Sequence, residues 1–318
     1  MIRLSGKITD KAMKPVLFNL GNYPISSFGL SMILAFLAAS FVIWRVIRLY
    51  ELDEEKIVDL ILVTFVGGLI SARIYYILFH LNLFDQIYKV FLINRYPGLS
   101  FWGAFLGSLV ILKFFARRLK VDFWLVADIT MPGLFVGLVI GSIGCLLGSC
   151  QYGLPSNLSF AVSQVGLIGK RFPLQVVEAL LFFIGFIYLW RRVLKFHING
   201  VVAALGLILL GVIKFALEFY RGDRQFLFGN ISLGHLYSIA VFLVGLSIYY
   251  SRSKKSLLSD IKFVLSLPIN KDRRGVVLNR LGKNWYNLKV NFKVSLQRKT
   301  KKIMRGINVK TESPKLEQ

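Results

Sequence analysis

Cysteine is nearly absent from this chain of 318 residues: there are two, Cys145 and Cys150. Two cysteines spaced C-x4-C build no disulfide framework and supply too few ligands for a zinc site, so no metal site is expected. On a continuous helix, residues five apart point about 140° away from each other, so a bridge between these two requires the helix to end between them. The redox compartment stays open on this evidence alone. Acidic residues are scarce too, 16 against 40 Lys and Arg for a net charge of +24, and the three histidines, His80, His197 and His235, are scattered. No recognisable nucleic-acid motif accompanies that charge, so no nucleic-acid partner is expected.

Apolar residues, by contrast, are abundant: 55% hydrophobic side chains, 14% aromatics and a mean hydropathy of +0.62. One soluble core could not bury so much, and the chain reads as an integral membrane protein. Residues 1–25 are mixed in polarity and carry no cleavage pattern after an apolar run, so the first apolar segment is expected to be a true span. Apolar stretches at 26–44, 57–80, 99–116, 123–147, 173–190, 199–220 and 235–250 match the roughly 20 residues needed to cross a bilayer. The expected fold is therefore all-α, with seven transmembrane helices.

Basic clusters divide the loops in alternation: Arg45 and Arg48; Arg117, Arg118 and Lys120; Arg191, Arg192 and Lys195; Arg252, Lys254 and Lys255. The positive-inside rule assigns all four to the cytoplasm, with the N-terminal segment 1–25 outside and the C-terminus inside. Arg3, Lys7, Lys11 and Lys14 run against this orientation and are outvoted by the four clusters. Residues 251–318 form a basic cytoplasmic tail, partly helical or disordered, with 18 of the 40 Lys and Arg and only four acids, Asp260, Asp272, Glu312 and Glu317. Such a tail favours an anionic lipid surface. FVLSLPI (263–269) and NWYNLKVNFKVSL (284–296) could lie along it as short amphipathic segments.

Ionisable residues at membrane depth mark pathways or sites. Arg73, Glu178, Lys214 and Glu218 are such residues, and all fall in the outer half, near Arg171 and Arg221. In KFALEFYR, Lys214 and Glu218 are four apart and Glu218 and Arg221 three apart, so a ladder of ion pairs along one helix face is expected. These groups either neutralise one another for stability alone or, with Arg73 and Arg171, surround a cavity open to the outer leaflet. Guanidinium groups would there hold phosphate oxygens in a fork geometry. In GSIGCLLGSCQYG (141–153), Gly141, Gly144 and Gly148 have the small-residue spacing of close helix packing, and Gly153 and Pro155 then break the helix where a loop emerges beside the site.

These segments resemble the prolipoprotein diacylglyceryl transferase family, from about residue 16 to 252 and in the order of every landmark. SSFGLSMILAF resembles the family's first span, GGLISARIYYILFH its glycine-arginine segment, and LSFWGAFLG its S-F-H-G-G turn. GSIGCLLGSCQYG lies over G-R-x-G-N-x-x-N-x-E-x-x-G, RFPLQVVEA over R-H-P-x-Q-L-Y-E, KFALEFYRGDRQ over R-x-x-x-E-F-x-R, and NISLGHLYSIAVF over the final segment. The resemblance implies a bacterial cytoplasmic-membrane enzyme that needs no cofactor. It would move the diacylglyceryl group of phosphatidylglycerol to the lipobox cysteine thiol of a prolipoprotein and release glycerol phosphate. It also implies Lys214, Glu218 and Arg221 as catalytic, and Arg73, Arg171, Gln175, Glu178, Cys145, Cys150 and Gly153 as substrate-binding.

The sequence departs from the family pattern at several of these landmarks. Ser142 stands for an arginine, Cys145 for an asparagine, Cys150 for a glutamate, Trp102 and Phe172 for histidines, Lys214 for an arginine, and Phe28 for a tyrosine. A cysteine-bearing signature does occur in other branches of the family. Two further readings stay open: a non-catalytic phospholipid-binding paralogue, and a membrane scaffold.

Overall fold

The computed structural model describes residues 15–253, apart from 22, 85, 87, 89–97, 225 and 230, together with 256, 257, 275 and 279. Among them are seven long helices: α1 Ser27–Leu49, α2 Glu54–Phe79, α3 Phe101–Arg118, α4 Phe123–Leu147, α5 Leu174–Val193, α6 Val201–Glu218 and α7 Leu233–Ser253. Four of them start where a side-chain oxygen can accept from a first-turn amide: Ser26 from Gly29, Asp53 from Lys56, Ser100 from Gly103 and Asp122 from Trp124. Those bonds satisfy donors that have no partner inside the helix. The odd-numbered helices end on Arg48, on Arg117 and Arg118, on Arg191 and Arg192, and on Arg252, where cations complement the exposed carbonyls.

Six of the seven are long and apolar enough to cross a membrane. The exception is α3, expected as the span at 99–116, whose 18 residues include Lys113, Arg117 and Arg118. Large apolar side chains stay exposed at helical spacing, such as Ile33, Leu37 and Phe41 on α1 and Ile70, Ile74 and Leu78 on α2. In water that pattern would aggregate; in lipid it is the outer face of a bundle. The protein is a helical, multi-pass membrane protein.

The helices pack as antiparallel neighbours, chiefly α1 with α4, α2 with α3, α4 with α5 and α6 with α7. Phe135 and Phe182, both fully buried, meet edge to face at 5.5 Å in a core that includes Val46, Ile129, Leu189 and Leu210. Of the three glycines expected to admit a neighbouring helix, Gly144 does so most closely, since a β-carbon there would lie 2.3 Å from that of Ser31. Gly148 is looser, 3.1 Å from the Phe28 β-carbon, and Gly141 faces open space.

Alternation of helix direction gives the bundle two unlike ends. At one end lie the basic residues of the helix C-termini. Here the fully buried Asp128 of α4 accepts from the amides of Gly200 and Ala203 at 2.7 and 2.6 Å, capping α6 from another helix. Its Oδ2 also lies 3.2 Å from His197 Nε2.

The other end carries three antiparallel hairpins, which qualify the expected all-α class: β1 Val16–Leu20 with β2 Tyr23–Ser26, β3 Val162–Ser163 with β4 Lys170–Arg171, and β5 Phe226–Phe228 with β6 Ile231–Ser232. They lead into α1, α5 and α7. The chain divides into two compact units, Met1–Lys254 and Lys255–Gln318. The segments 263–269 and 284–296, and Arg3, Lys7, Lys11 and Lys14, lie outside the described residues.

Candidate functional site at the hairpin end

After α4 the chain turns sharply, with Ser149 and Gln151 both in the left-handed region at φ 58° and 51°. The helix therefore ends between the two cysteines, and Cys145 and Cys150 are joined in a disulfide with a Cα separation of 4.9 Å. The sulfurs hold each other, so neither cysteine offers a free thiol. The turn is held from α5 as well, since the fully buried Gln175 donates from Nε2 to the Cys150 carbonyl at 2.6 Å.

Residues 152–155 then run between two other segments. On one side Gly153 bridges to Arg221, the Leu154 amide donates to the Tyr220 carbonyl at 2.9 Å, and the Gly222 amide donates to the Tyr152 carbonyl at 2.7 Å. On the other, Pro155 bridges to Arg171 and the Phe172 amide donates to the Leu154 carbonyl at 2.9 Å. Glycine is required at 153 by space, because a β-carbon would lie 2.3 Å from the Phe172 carbonyl oxygen. The ends of α4 and α6 and the start of α5 are thus tied into one shelf by backbone hydrogen bonds.

Arg221 is the charged centre of that shelf. Its Nε donates to Asp223 Oδ1 at 2.6 Å, its Nη2 to Asp223 Oδ2 at 3.2 Å, and its Nη1 to Glu218 Oε2 at 3.4 Å. Burial disfavours the charge, but the Asp223 and Glu218 carboxylates outweigh it and hold the guanidinium pKa above the ordinary arginine value. Three of its five N–H groups are committed to described residues, which leaves two. Glu218 in turn accepts from Ser232 Oγ at 2.7 Å, and Ser232 Oγ lies 3.0 Å from His235 Nδ1. Because the Ser232 amide also donates to Nδ1, at 3.2 Å, the His235 proton sits on Nε2. Gly234 leaves the space that the Glu218 carboxylate fills, since a β-carbon there would lie within 2.3 Å of it.

Lys214 does not pair with Glu218 as the expected ladder required. It reaches across to α5, where its Nζ lies 2.5 Å from Glu178 Oε1, 4.3 Å from the centre of the Phe101 ring and 5.7 Å from that of Phe182. The reason is burial: a partner on the facing helix neutralises Lys214 inside the bundle, whereas Glu218 is turned toward Ser232. The Glu218–Arg221 rung of the ladder does form.

Arg73 is buried in α2 and donates from Nη1 to the Gly98 carbonyl at 3.0 Å, with its guanidinium 5.1 Å from the Phe84 ring centre. It therefore flanks the α2–α3 connection. Arg171 lies over the Tyr152 ring at 5.5 Å, and its Nε has no hydrogen-bond partner among the described residues.

The family model of prolipoprotein diacylglyceryl transferase matches residues 15–251. The chain belongs to the prolipoprotein diacylglyceryl transferase family. Proteins named phosphatidylglycerol–prolipoprotein diacylglyceryl transferase are similar along nearly all of their own length. One from Geobacter sulfurreducens is 32% identical over 76% of this chain and 96% of its own. One from Finegoldia magna is 25% identical over 79% of this chain and 100% of its own, and one from Acinetobacter baumannii 29% identical over 78% and 96%.

Trp102 and Phe172, which the resemblance sets against histidines, are packed aromatic rings. Trp102 meets Phe101 edge to face at 5.1 Å and Tyr237 at a tilt at 5.3 Å, and the Tyr237 hydroxyl is hydrogen-bonded to that of Tyr75. Phe172 packs on Tyr220 at 5.3 Å. Sequence reasoning missed Asp223 and Ser232. Asp223 follows Arg221 at a spacing that carries no periodic signal. Ser232 did carry one: S-L-G-H has the spacing of a capping box, with His235 in the place of the usual glutamate.

Proposed function

We propose that this protein is a phosphatidylglycerol–prolipoprotein diacylglyceryl transferase. Its substrates would be phosphatidylglycerol and the lipobox cysteine of a prolipoprotein, met at the outer leaflet of a bacterial cytoplasmic membrane. In this arrangement all seven helices span, the hairpin end with segment 1–25 faces outward, and residues 251–318 lie against anionic lipid on the cytoplasmic side. The disulfide at the hairpin end suits an oxidising exterior, and the arginines of the odd-numbered helix C-termini suit the interior.

The observation that carries the reading is the joint at Gly153 and Arg221, where backbone bonds tie three separately matching segments of the chain together beside one paired guanidinium. Arg221 has two N–H groups left for phosphate oxygens, and Arg73 and Arg171 add positive charge at the same end. A positive field there favours the thiolate of the acceptor cysteine. Glu218, oriented by Ser232 and Arg221, takes the thiol proton. The sulfur then bonds to the terminal glycerol carbon of the diacylglyceryl group. The bond from that carbon to the phosphate oxygen breaks, its electron pair stays on the oxygen, and glycerol phosphate leaves as an anion held by the arginines. Lys214, paired with Glu178, completes the buried polar layer beneath.

Peptide-dependent release of glycerol phosphate from phosphatidylglycerol vesicles containing the protein tests this. Release only when the lipobox peptide is present is the expected result; a folded protein that binds lipid and releases nothing refutes it. That second outcome is the one required by the alternative of a non-catalytic lipid binder, which the packed Trp102 favours.

A further inference from the structure

Most buried polar groups at the hairpin end are accounted for by the shelf, but one side chain has both of its polar atoms unmet among the described residues. Gln164, just past β3, is 4% exposed, and neither its Nε2 nor its Oε1 has a hydrogen-bond partner. A buried carboxamide with both functions unmet is rare, because it gives up water on both atoms and gains nothing in return.

Its position is well defined. The Val165 amide next to it donates to Ser149 Oγ at 3.3 Å, so the hairpin closes over the disulfide turn. Val162 pairs with Arg171 across β3 and β4. Gln164 follows β3 directly, and extending the strand alternation by one residue puts it on the side of Val162 and its partner Arg171, which lies over Tyr152. Two more unmet atoms border the same turn: Arg171 Nε, and the Oε1 of the fully buried Gln175, whose Nε2 holds the Cys150 carbonyl.

We propose that Gln164 is a recognition residue for an extended peptide, and that the β3–β4 hairpin forms the acceptor-peptide subsite beside the shelf. A backbone amide offers one N–H and one C=O, the complement of a carboxamide with a free acceptor and a free donor. A phosphate offers acceptors alone and would leave Oε1 unmet; the glycerol hydroxyls of the lipid head group could meet both atoms, and the lipid affinity of Gln164→Met separates that case. The tip of the hairpin agrees with an apolar peptide, since Phe160 and Val165 are more than half exposed and Ile168 is 95% exposed. Arg171 Nε, buried and unmet like the Gln164 carboxamide, would donate to a second peptide carbonyl where the peptide enters beside the hairpin. This subsite rests on the transferase reading, whose lipid side is left to Arg73 and Arg221.

The test uses the full chain in detergent micelles and a fluorescent lipobox peptide with serine in place of the cysteine, which binds but cannot be modified. Gln164→Met keeps the side-chain size and should weaken peptide binding about five- to tenfold while leaving phosphatidylglycerol affinity unchanged. A second arm needs no variant: peptides in which one backbone amide near the serine is replaced by an ester lose a donor. At least one should bind the native chain about fivefold less tightly, yet bind Gln164→Met no worse than the amide peptide does. Unchanged peptide affinity in Gln164→Met, a loss of lipid affinity instead, uniform binding of all ester peptides, or no peptide binding by the native chain overturns the proposal. A native chain that binds the peptide but transfers nothing refutes the transferase reading and leaves the subsite standing.

Discussion

Lys214 and Glu178 show what single residues contribute here. Their side chains are only 13% and 5% exposed, so each charge depends on the other. Removing one partner leaves the second buried and unpaired, whereas replacing both with apolar groups of similar size removes that penalty. Lys214→Met should therefore destabilise the protein by about 3–5 kcal/mol, and Lys214→Met with Glu178→Leu should recover most of that loss. Unfolding in mixed micelles checks this. Equal losses in the single and double variants would mean that the pair is not what holds α5 to α6. Gly153 makes a separate case. Gly153→Ala must displace the Phe172 carbonyl, which should lower transfer at least tenfold and cost about 1–3 kcal/mol. Initial rates and unfolding on the same preparation would show both effects.

The sequence revealed these residues unevenly. Arg73, Glu178, Lys214 and Glu218 were conspicuous because charge inside an apolar run is expensive, and each is buried in or beside the bundle. Which carboxylate Lys214 would choose was not legible, since helical spacing reports neighbours on one helix and the actual partner is 36 residues away on another. Gln164 gave no signal, because a loop glutamine is ordinarily exposed and only the closing of the hairpin buries it.

Single elements are held at their ends. The Cys145–Cys150 bridge closes the last turn of α4 onto the segment that carries Gly153. Chain-entropy arguments for so short a loop give about 2 kcal/mol. Reduction, or Cys145→Ala with Cys150→Ala, should cost about that much stability and lower transfer while the helices persist; circular dichroism beside the activity assay separates the two effects. At the other end of α4, Asp128 joins α6 to the loop through His197, whose Nδ1 lies 2.7 Å from the Lys195 carbonyl. Both imidazole nitrogens therefore face acceptors. The Asp128 carboxylate, 3.2 Å from Nε2, holds the His197 pKa above its ordinary value, against burial and the nearby Arg192 charge. A raised folded-state pKa gives stability that is fully present below the ordinary histidine pKa and is lost as pH rises through the raised one. The unfolding midpoint should fall as pH rises through that window in the native chain, with a smaller fall in His197→Gln. Parallel pH profiles would show that the pair does not titrate.

Helices were legible as elements from their apolar length and capping residues, to within a few residues at each end. The hairpins were not, because strands of two to five residues have too little period to read. Asp128 was passed over since it lies near the start of an apolar run, where a lone acid resembles a loop boundary. Its capping of α6 from another helix is a tertiary fact.

Across the whole molecule, the proposed orientation sends the two bundle ends to opposite sides of the membrane. Ile168, at the tip of the β3–β4 hairpin, and Phe196, in the α5–α6 loop, are both fully or nearly fully exposed. The native cysteines are bonded to each other, so they provide a silent background. Ile168→Cys should react with a membrane-impermeant maleimide on intact cells, and Phe196→Cys only after permeabilisation. The reverse pattern would invert the assignment and move the site to the cytoplasm.

The central claim is that one outward-facing site, built around Arg221 and Glu218, transfers a diacylglyceryl group to a cysteine thiol. The most direct measurement is the intact mass of a lipobox peptide after incubation with the purified full chain and phosphatidylglycerol. A gain equal to one diacylglyceryl group on the cysteine, absent with Arg221→Met and with a serine peptide, is the predicted result. A folded native chain that leaves the peptide mass unchanged would contradict the account.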